Sequence, residues 1–423
     1  LPFFVITVRG PRSPGEVTSM SVSSLPFLHG ALGAVLPKLA AWRRDFHAHP
    51  EAGWTEFRTA ALIIRRLREL GYAIRMGEAA CASDRRMGVP SSAVLAAARE
   101  RALEHGADAE LVAGMGDGYT GFWADLDCGP GPVTAFRFDM DCNEVAECAE
   151  ESHRPVREGF ASRWPGLMHA CGHDGHAAVG LGLAEVLVSI RRHLRGRIRL
   201  IFQPAEEGAR GALPMSEAGA VDGVDVLFGF HIGFKAEGPG SLICGTQGFL
   251  ATTKRDVLFS GVPAHAGAAP EEGKDALLAA CSAVVNLHAI SRNGKGGTRI
   301  AVGRLEGGEA RNVIPASARL FMETRGETTE LDAYMTAESE RILRASADLW
   351  GCACEWRTVG NSAGGGSSPE LARLIATVAE AMGGWKTVIP MSGFGATEDF
   401  ACLMSRVQAS GGLASYLQVG TDR

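Results

Sequence analysis

Metal-donor side chains stand at three separated places in the chain, and a fold that uses them must bring all three to one point. The first is the run His169-Ala170-Cys171-Gly172-His173-Asp174-Gly175-His176, the second the adjacent Glu206-Glu207, the third an isolated His231 closing an apolar run. Thiolate and imidazole suit borderline metals such as zinc, and a carboxylate-plus-imidazole shell also suits manganese. Glycines at 172 and 175 are expected to let the backbone turn tightly there. Glu206 and Glu207 are neighbours, so they project in different directions; one can bind metal while the other faces substrate. The combination reads as a dinuclear hydrolytic centre.

The apolar pattern says where such a centre would sit. Val133–Phe138 reads as a strand running into Asp139-Met140-Asp141, Ile198–Phe202 as a strand running into Glu206-Glu207, and Val224–Phe230 as a strand ending at His231. A helix is expected over Thr55–Leu70, ended by Gly71, and others over 90–110 and 176–193. Alternation of this kind predicts an α/β fold with a mostly parallel central sheet covered by helices. Open sheets of that class bind ligands at the carboxyl ends of their strands, where these donors fall.

After about residue 250 the texture changes. Thr253–Ser260 and Thr298–Arg304 look like exposed-edge strands; with helices at 274–290 and 328–349 and a strand at 316–324 they make a βαββαβ-like unit. The Gly/Ser-rich stretch Asn361–Ser368 reads as a linker. The expected division is 1–250 and 363–423 for the metal-bearing domain, with 251–362 inserted as a smaller α+β domain. With 423 residues, 46% of them hydrophobic, the chain can bury cores of that size.

A formal net charge of -6 argues against a nucleic-acid partner. No run of 18 apolar residues suggests a membrane span. Leu1–Ile6 is too short for a secretory segment and Met20 is the first methionine, so a translated extension is expected there. Ten scattered cysteines suit reduced thiols in a cytoplasmic protein.

Bland readings compete residue by residue. Alone, Cys171 and His173 fit a buried thiol and a core histidine, but the matching strand-end donors favour ligation. A Cys–His nucleophile pair would explain neither the acid pair nor His231. Asp139, Asp141 and Asp174 fit either roles behind the ligands, orienting imidazoles, or turn formation at strand ends. His169 and His176 are not needed as ligands, and His47 and His49 read as a structural helix terminus.

The strings MHACGHDGH, IFQPAEEGARGA, VDVLFGFHIG, SGVPAHAGAAPEEGKDALLAA, ARNVIPASA and GATEDF, in this order, resemble the metal-dependent amidohydrolases of the aminoacylase/carboxypeptidase superfamily. Within it the chain is similar to the branch of indole-acetyl-amino-acid and hippurate hydrolases, from about Trp42 to Gly420. The resemblance implies a zinc-peptidase-like catalytic domain with an inserted lid and dimerisation domain. It implies two divalent ions per subunit, Mn2+ or Zn2+, held by Cys171 as bridge, His173, Glu207, His231 and one further His beyond the Gly420-Thr421-Asp422 region. The sequence ends at Arg423 with no later His, and the expectation is either a truncated piece or one weakly held metal position. Glu206 would be the general base, and His265 would serve a neighbouring subunit's site as oxyanion donor. Arg311, Asn312 and Arg325 would contact substrate. The implied reaction is hydrolysis of an N-acyl amino acid, p-aminobenzoyl-glutamate first, with hippurate or an indole-acetyl amino acid as alternatives. A homodimer or a hetero-oligomer with a related subunit is expected, and a non-catalytic subunit is the reading from another class.

Overall fold

The computed structural model describes residues 26–422, so the expectations for Leu1–Ile6 and Met20 lie outside the described residues. The chain forms two compact units. One comprises the chain up to Gln247, Gly366–Phe394 and Cys402 onward; the other comprises Gly248–Gly365 and Gly395–Ala401. The short return of 395–401 to the second unit has no counterpart in the sequence pattern.

Elements of the first unit are, in order, α1 (Pro26–Ala48), α2 (Phe57–Glu69), β1 (Ala73–Met76), α3 (Ser92–Glu104), β2 (Phe122–Asp127), β3 (Val133–Asp139), α4 (His173–Ser189), β4 (Arg197–Gln203), β5 (Val226–Glu237) and β6 (Ser241–Ile243). The second unit contributes β7 (Ala251–Ser260), α5 (Ala276–His288), β8 (Thr298–Gly307), β9 (Ser317–Gly326), α6 (Thr329–Leu349) and β10 (Ala353–Ser362). The first unit then resumes with α7 (Pro369–Met382), β11 (Thr387–Ile389) and β12 (Leu413–Thr421).

The large sheet has the order β1-β2-β4-β3-β5-β12-β6-β11. Its centre is parallel, with β3 between β4 and β5 and β12 beside β5. The flanks are mixed: β1–β2, β2–β4 and β12–β6 are antiparallel, and β6–β11 is parallel. Central strands covered on both faces must be apolar on both faces, and β4 is buried from Ile198 to Gln203. Its one cation in that stretch, Arg199, is neutralised by Asp125 at 2.8 Å. Helix α2 buries Phe57, Ile64 and Leu67, and Gly71, at φ +83°, ends that stretch as its position suggests.

The second unit is βαββαβ, as the pattern indicates, with helices capped by Asp275 and Thr328. One expectation is corrected here. β7 is an interior strand, paired with β9 on one side and β10 on the other. Its polar residues mimic an edge, yet they are consumed by the covering helix α6: Thr253 bonds Asp332 at 2.7 Å and Arg255 pairs with Glu340 at 2.6 Å.

The linker expectation is also corrected. β10 runs to Ser362, and Ser367 and Ser368 are buried. The Ser367 hydroxyl accepts from the N–H groups of Thr246 and Tyr416 at 2.9 and 3.0 Å. The Ser368 hydroxyl accepts from Ala414 N–H and from the Gln408 amide, each at 3.1 Å. Small hydroxylated residues stand here to satisfy buried backbone donors, not to supply slack.

Candidate metal centre

Gly172 breaks the chain at the first donor cluster. Its φ of +88° is left-handed, and a Cβ there would meet Ile232 Cδ1 at 2.6 Å, so only glycine fits. The helix therefore begins at His173, three residues earlier than the sequence pattern suggests, with Cys171 just ahead of it. Gly175 is an ordinary helical residue with a φ of ordinary sign, so the turn rests on Gly172 alone.

The same region collects the other donors. Asp139 is the last residue of β3, and Glu206 and Glu207 follow β4. Strand β5 does not end at His231 but runs on to Glu237, kinked by positive φ at Gly233 and Phe234. His231 still lies beyond Phe228, the last residue of β5 that pairs with β3. Ligand atoms of Cys171, His173 and His231 lie within 4.8 Å of one another, as do those of His173, Glu206 and Glu207. Cys171 Sγ is 3.3 Å from His231 Nε2.

The donor orientations fit a metal. His173 Nδ1 donates to the Asp141 carbonyl at 2.9 Å and His231 Nδ1 to the Ile232 carbonyl at 2.6 Å. Each ring is thereby left with Nε2 as its lone-pair nitrogen, the arrangement in which imidazole binds metal. His173 is 1% exposed, yet its Nε2 has no hydrogen-bond partner. An orphaned buried nitrogen costs ~1–3 kcal/mol, a large fraction of a protein's net stability. It faces Asp139 Oδ2 at 3.9 Å and Glu206 Oε2 at 4.0 Å. Although burial opposes it, the charge of Asp139 and the bond to Asp141 push the His173 pKa well up. Burial, then the charge of Asp141, raises Glu207. A crowd of acids that draws a proton onto a buried imidazole is one that favours a cation.

The three aspartates take different tasks. The Asp141 carboxylate accepts from Glu206 N–H at 3.0 Å and Glu207 N–H at 2.9 Å, gripping the acid pair. Asp139, ion-paired with Arg137, holds His176 Nδ1 at 2.5 Å, and His176 Nε2 accepts from Ile232 N–H at 3.1 Å. Both His176 nitrogens are thus used beside His231. Asp174 turns away, to His47 Nδ1 and Arg43, each at 2.8 Å. His47 Nε2 reaches Glu147 at 2.9 Å. A ring that donates to carboxylates from both nitrogens is an imidazolium; although burial opposes it, Asp174 and Glu147 raise its pKa.

Asn143 was invisible in the sequence. Its Oδ1 accepts from Cys171 N–H at 3.1 Å while its Nδ2 donates to Glu207 Oε1 at 2.6 Å, tying two donors together. Its place just after the Asp139-Met140-Asp141 turn is the only signal it leaves.

In the second unit, His265 and Asn312 are brought together. His265 bridges Val313, and Ala266 N–H donates to the Asn312 carbonyl at 3.0 Å. His265 is exposed; its Nδ1 accepts from Gly267 and Ala268 N–H, each at 3.1 Å, so Nε2 is the outward nitrogen. Arg311 is exposed beside Asn312. Arg325 sits near the opposite end of β9, on the order of 25 Å away at strand rise. It pairs with Glu323 at 2.8 Å and lies across from Arg299, the three lining a surface depression with Ile300 and Ala301.

Ligation by Cys171 has a direct check. Burial raises its pKa, so the free thiol reacts slowly near neutrality and a bound cation would hold it as thiolate. Alkylation at alkaline pH, read peptide by peptide, is expected to modify Cys171 only after chelation, while exposed Cys148 reacts in both states. Equal labelling of Cys171 with and without metal would count against ligation.

Comparison with known proteins agrees with this geometry. The chain is 44% identical to the indole-3-acetyl-aspartic acid hydrolase of Enterobacter agglomerans, over 94% of this chain and 92% of that one. It is also 44% identical to one subunit of the p-aminobenzoyl-glutamate hydrolase of Escherichia coli K12, over 93% and 91%. Among solved structures, the aminobenzoyl-glutamate utilization protein of Klebsiella pneumoniae superposes with a TM-score of 0.83 at 41% identity, covering 93% of each chain. The Bacillus subtilis YXEP protein, described as a dinuclear metal binding peptidase, superposes at 0.58 with 25% identity over 92% and 91%. Residues 135–420 match the description of peptidase family M20/M25/M40. With the donors converging at the strand ends and these relatives spanning nearly its whole length, the chain belongs to the M20/M25/M40 peptidase family.

Proposed function

We propose that this chain hydrolyses the amide bond of N-acyl amino acids, with p-aminobenzoyl-glutamate as the leading substrate. The observation that carries the reading is the convergence of Cys171, His173 and His231, with Glu206 and Glu207 also gathered on His173. In this reading Cys171, His173, Glu207 and His231 are the chain's ligands for two divalent ions, Mn2+ or Zn2+. Such ions, when bound, polarise the scissile carbonyl and lower the pKa of the attacking water. Glu206 accepts that water's proton and returns it to the leaving amine. His265 supplies the oxyanion donor to a neighbouring subunit, with Asn312 and Arg311 beside it on the same substrate, whereas Arg325, about 25 Å from them at strand rise, would meet a different substrate molecule.

Supporting the substrate are the names of the relatives, which act on a glutamate and an aspartate conjugate. The second reading, an indole-acetyl-amino-acid hydrolase, has equal support from sequence identity. Turnover of p-aminobenzoyl-glutamate, indole-3-acetyl-aspartate and hippurate, measured side by side, decides between them. Preference for p-aminobenzoyl-glutamate by tenfold or more in kcat/KM is expected, and preference for indole-acetyl-aspartate would overturn it.

The name of the Escherichia coli relative makes it one subunit of an enzyme, which supports an assembly with a related subunit or a homodimer here. The cysteines form no disulfide among the described residues, which supports a reducing, cytoplasmic setting. No described helix is long and apolar enough to cross a membrane.

A further inference from the structure

Three successive backbone N–H groups, those of Ala205, Glu206 and Glu207, each end on a buried carboxyl oxygen. Asp141 takes the last two. The first goes to Glu56 Oε1 at 2.8 Å, while Glu56 Oε2 and the Thr120 hydroxyl are bonded at 2.5 Å. Glu56 is 0% exposed and Thr120 1%, so neither carboxyl oxygen has water to fall back on.

Ala205 needs such a hold. Its φ of +49° is left-handed, a conformation costing a non-glycine residue ~1–3 kcal/mol unless its surroundings impose it. The segment around Glu56 is shaped to impose it. A Cβ on Gly53 would lie 2.9 Å from both Cα and Cβ of Ala205, so the two backbones touch only because residue 53 is glycine. Trp54, itself at φ +70°, packs with Tyr119, Cys81 and Ala205 in one apolar cluster.

The geometry points to Glu56 as a positioning residue: by holding Ala205 N–H it sets the direction in which Glu206 and Glu207 leave the strand. Its effect on turnover rests on the reading of Glu206 as general base; its hold on the loop does not. Burial first, and then the charge of Asp141, pushes the Glu56 pKa up to about 8. Its two oxygens accept from the Thr120 hydroxyl and from Ala205 N–H.

The test uses the full chain with Glu56→Gln, Glu56→Asp and Thr120→Val. Gln keeps the length, offers its oxygen to Ala205 and its amide to Thr120, and is expected to keep kcat within about threefold. Asp is one methylene shorter and cannot span both partners. It is expected to lower kcat about 10²-fold with KM little changed, the scale on which a small misplacement of a reacting group acts. Thr120→Val, close in volume, loosens the same carboxyl without removing it and keeps the test open if Glu56→Asp does not fold; an intermediate loss is expected. Amide hydrogen exchange at 205–207, read in metal-free protein, supplies a measure apart from turnover. Exchange is expected to speed up in Glu56→Asp and Thr120→Val and to stay slow in Glu56→Gln. Unchanged exchange in Glu56→Asp overturns the hold itself, and so does exchange in Glu56→Gln as fast as in Glu56→Asp. Faster exchange with wild-type kcat overturns the positioning role. Should Glu206→Gln prove active, the base assignment fails while the exchange result still stands.

Discussion

Glu206→Gln is expected to lower kcat by about 10²–10⁴-fold, the range general acid–base catalysis contributes, while metal content and KM stay near wild type. Glu206 differs from its neighbour in what it faces. Glu207 is tethered by Asn143 at 2.6 Å on the side of Cys171, whereas Glu206 approaches the bare nitrogen of His173 at 4.0 Å. Removing the charge of Glu206 takes away the proton acceptor and leaves the proposed ligands Cys171, His173, Glu207 and His231 in place. Glu207→Gln is expected to behave differently, with bound metal falling along with turnover. Metal analysis of both purified variants beside their rates checks the division of labour. A Glu206→Gln enzyme with near-normal kcat would remove Glu206 from the role of base.

His265→Ala is expected to cost roughly 10²–10³ in kcat, the scale of losing one oxyanion donor, with metal affinity unchanged. The ring stands exposed on the second unit with Nδ1 tied to that unit's own backbone, which leaves Nε2 as the nitrogen to present. If that nitrogen serves a neighbouring subunit, mixing His265→Ala with Glu206→Gln restores activity, because one site per mixed dimer then has both an intact base and an intact histidine. Subunit exchange can be followed by native mass spectrometry. A mixture that exchanges and stays inactive would place His265 in its own chain's site or outside catalysis.

Which parts of this were legible without coordinates follows from the range of the interactions involved. Helix α2 and the βαββαβ order of the second unit carry their periodicity locally, since burying one face leaves a mark every second or every three to four residues, and β4, buried on both faces, shows instead as a short continuous apolar run. The donors were legible because thiol, imidazole and adjacent acids at strand ends are chemically unusual. Where a strand's polar residues are satisfied from another element, the same reading fails. β7 looked like an edge because nothing local shows that Asp332 and Glu340 wait on α6. Ser367 and Ser368 looked like slack for the same reason.

At the centre itself, the residue types determined the chemistry, and the tertiary structure decided who supports whom. Asp139, Asp141 and Asp174 are alike in sequence, each an acid beside a turn or a ligand. Only the fold gives one to His176, one to the acid-pair backbone and one to His47. Glu56 and Thr120 left no signal of their roles, and Asn143 only its place just after a strand-end turn. A side chain is chosen as a ligand for what it is, and that is written at its own position. A buried backbone N–H takes whichever acceptor the folded chain brings within 3 Å, and for Ala205 that acceptor comes from Glu56, at 2.8 Å and 149 residues away along the chain.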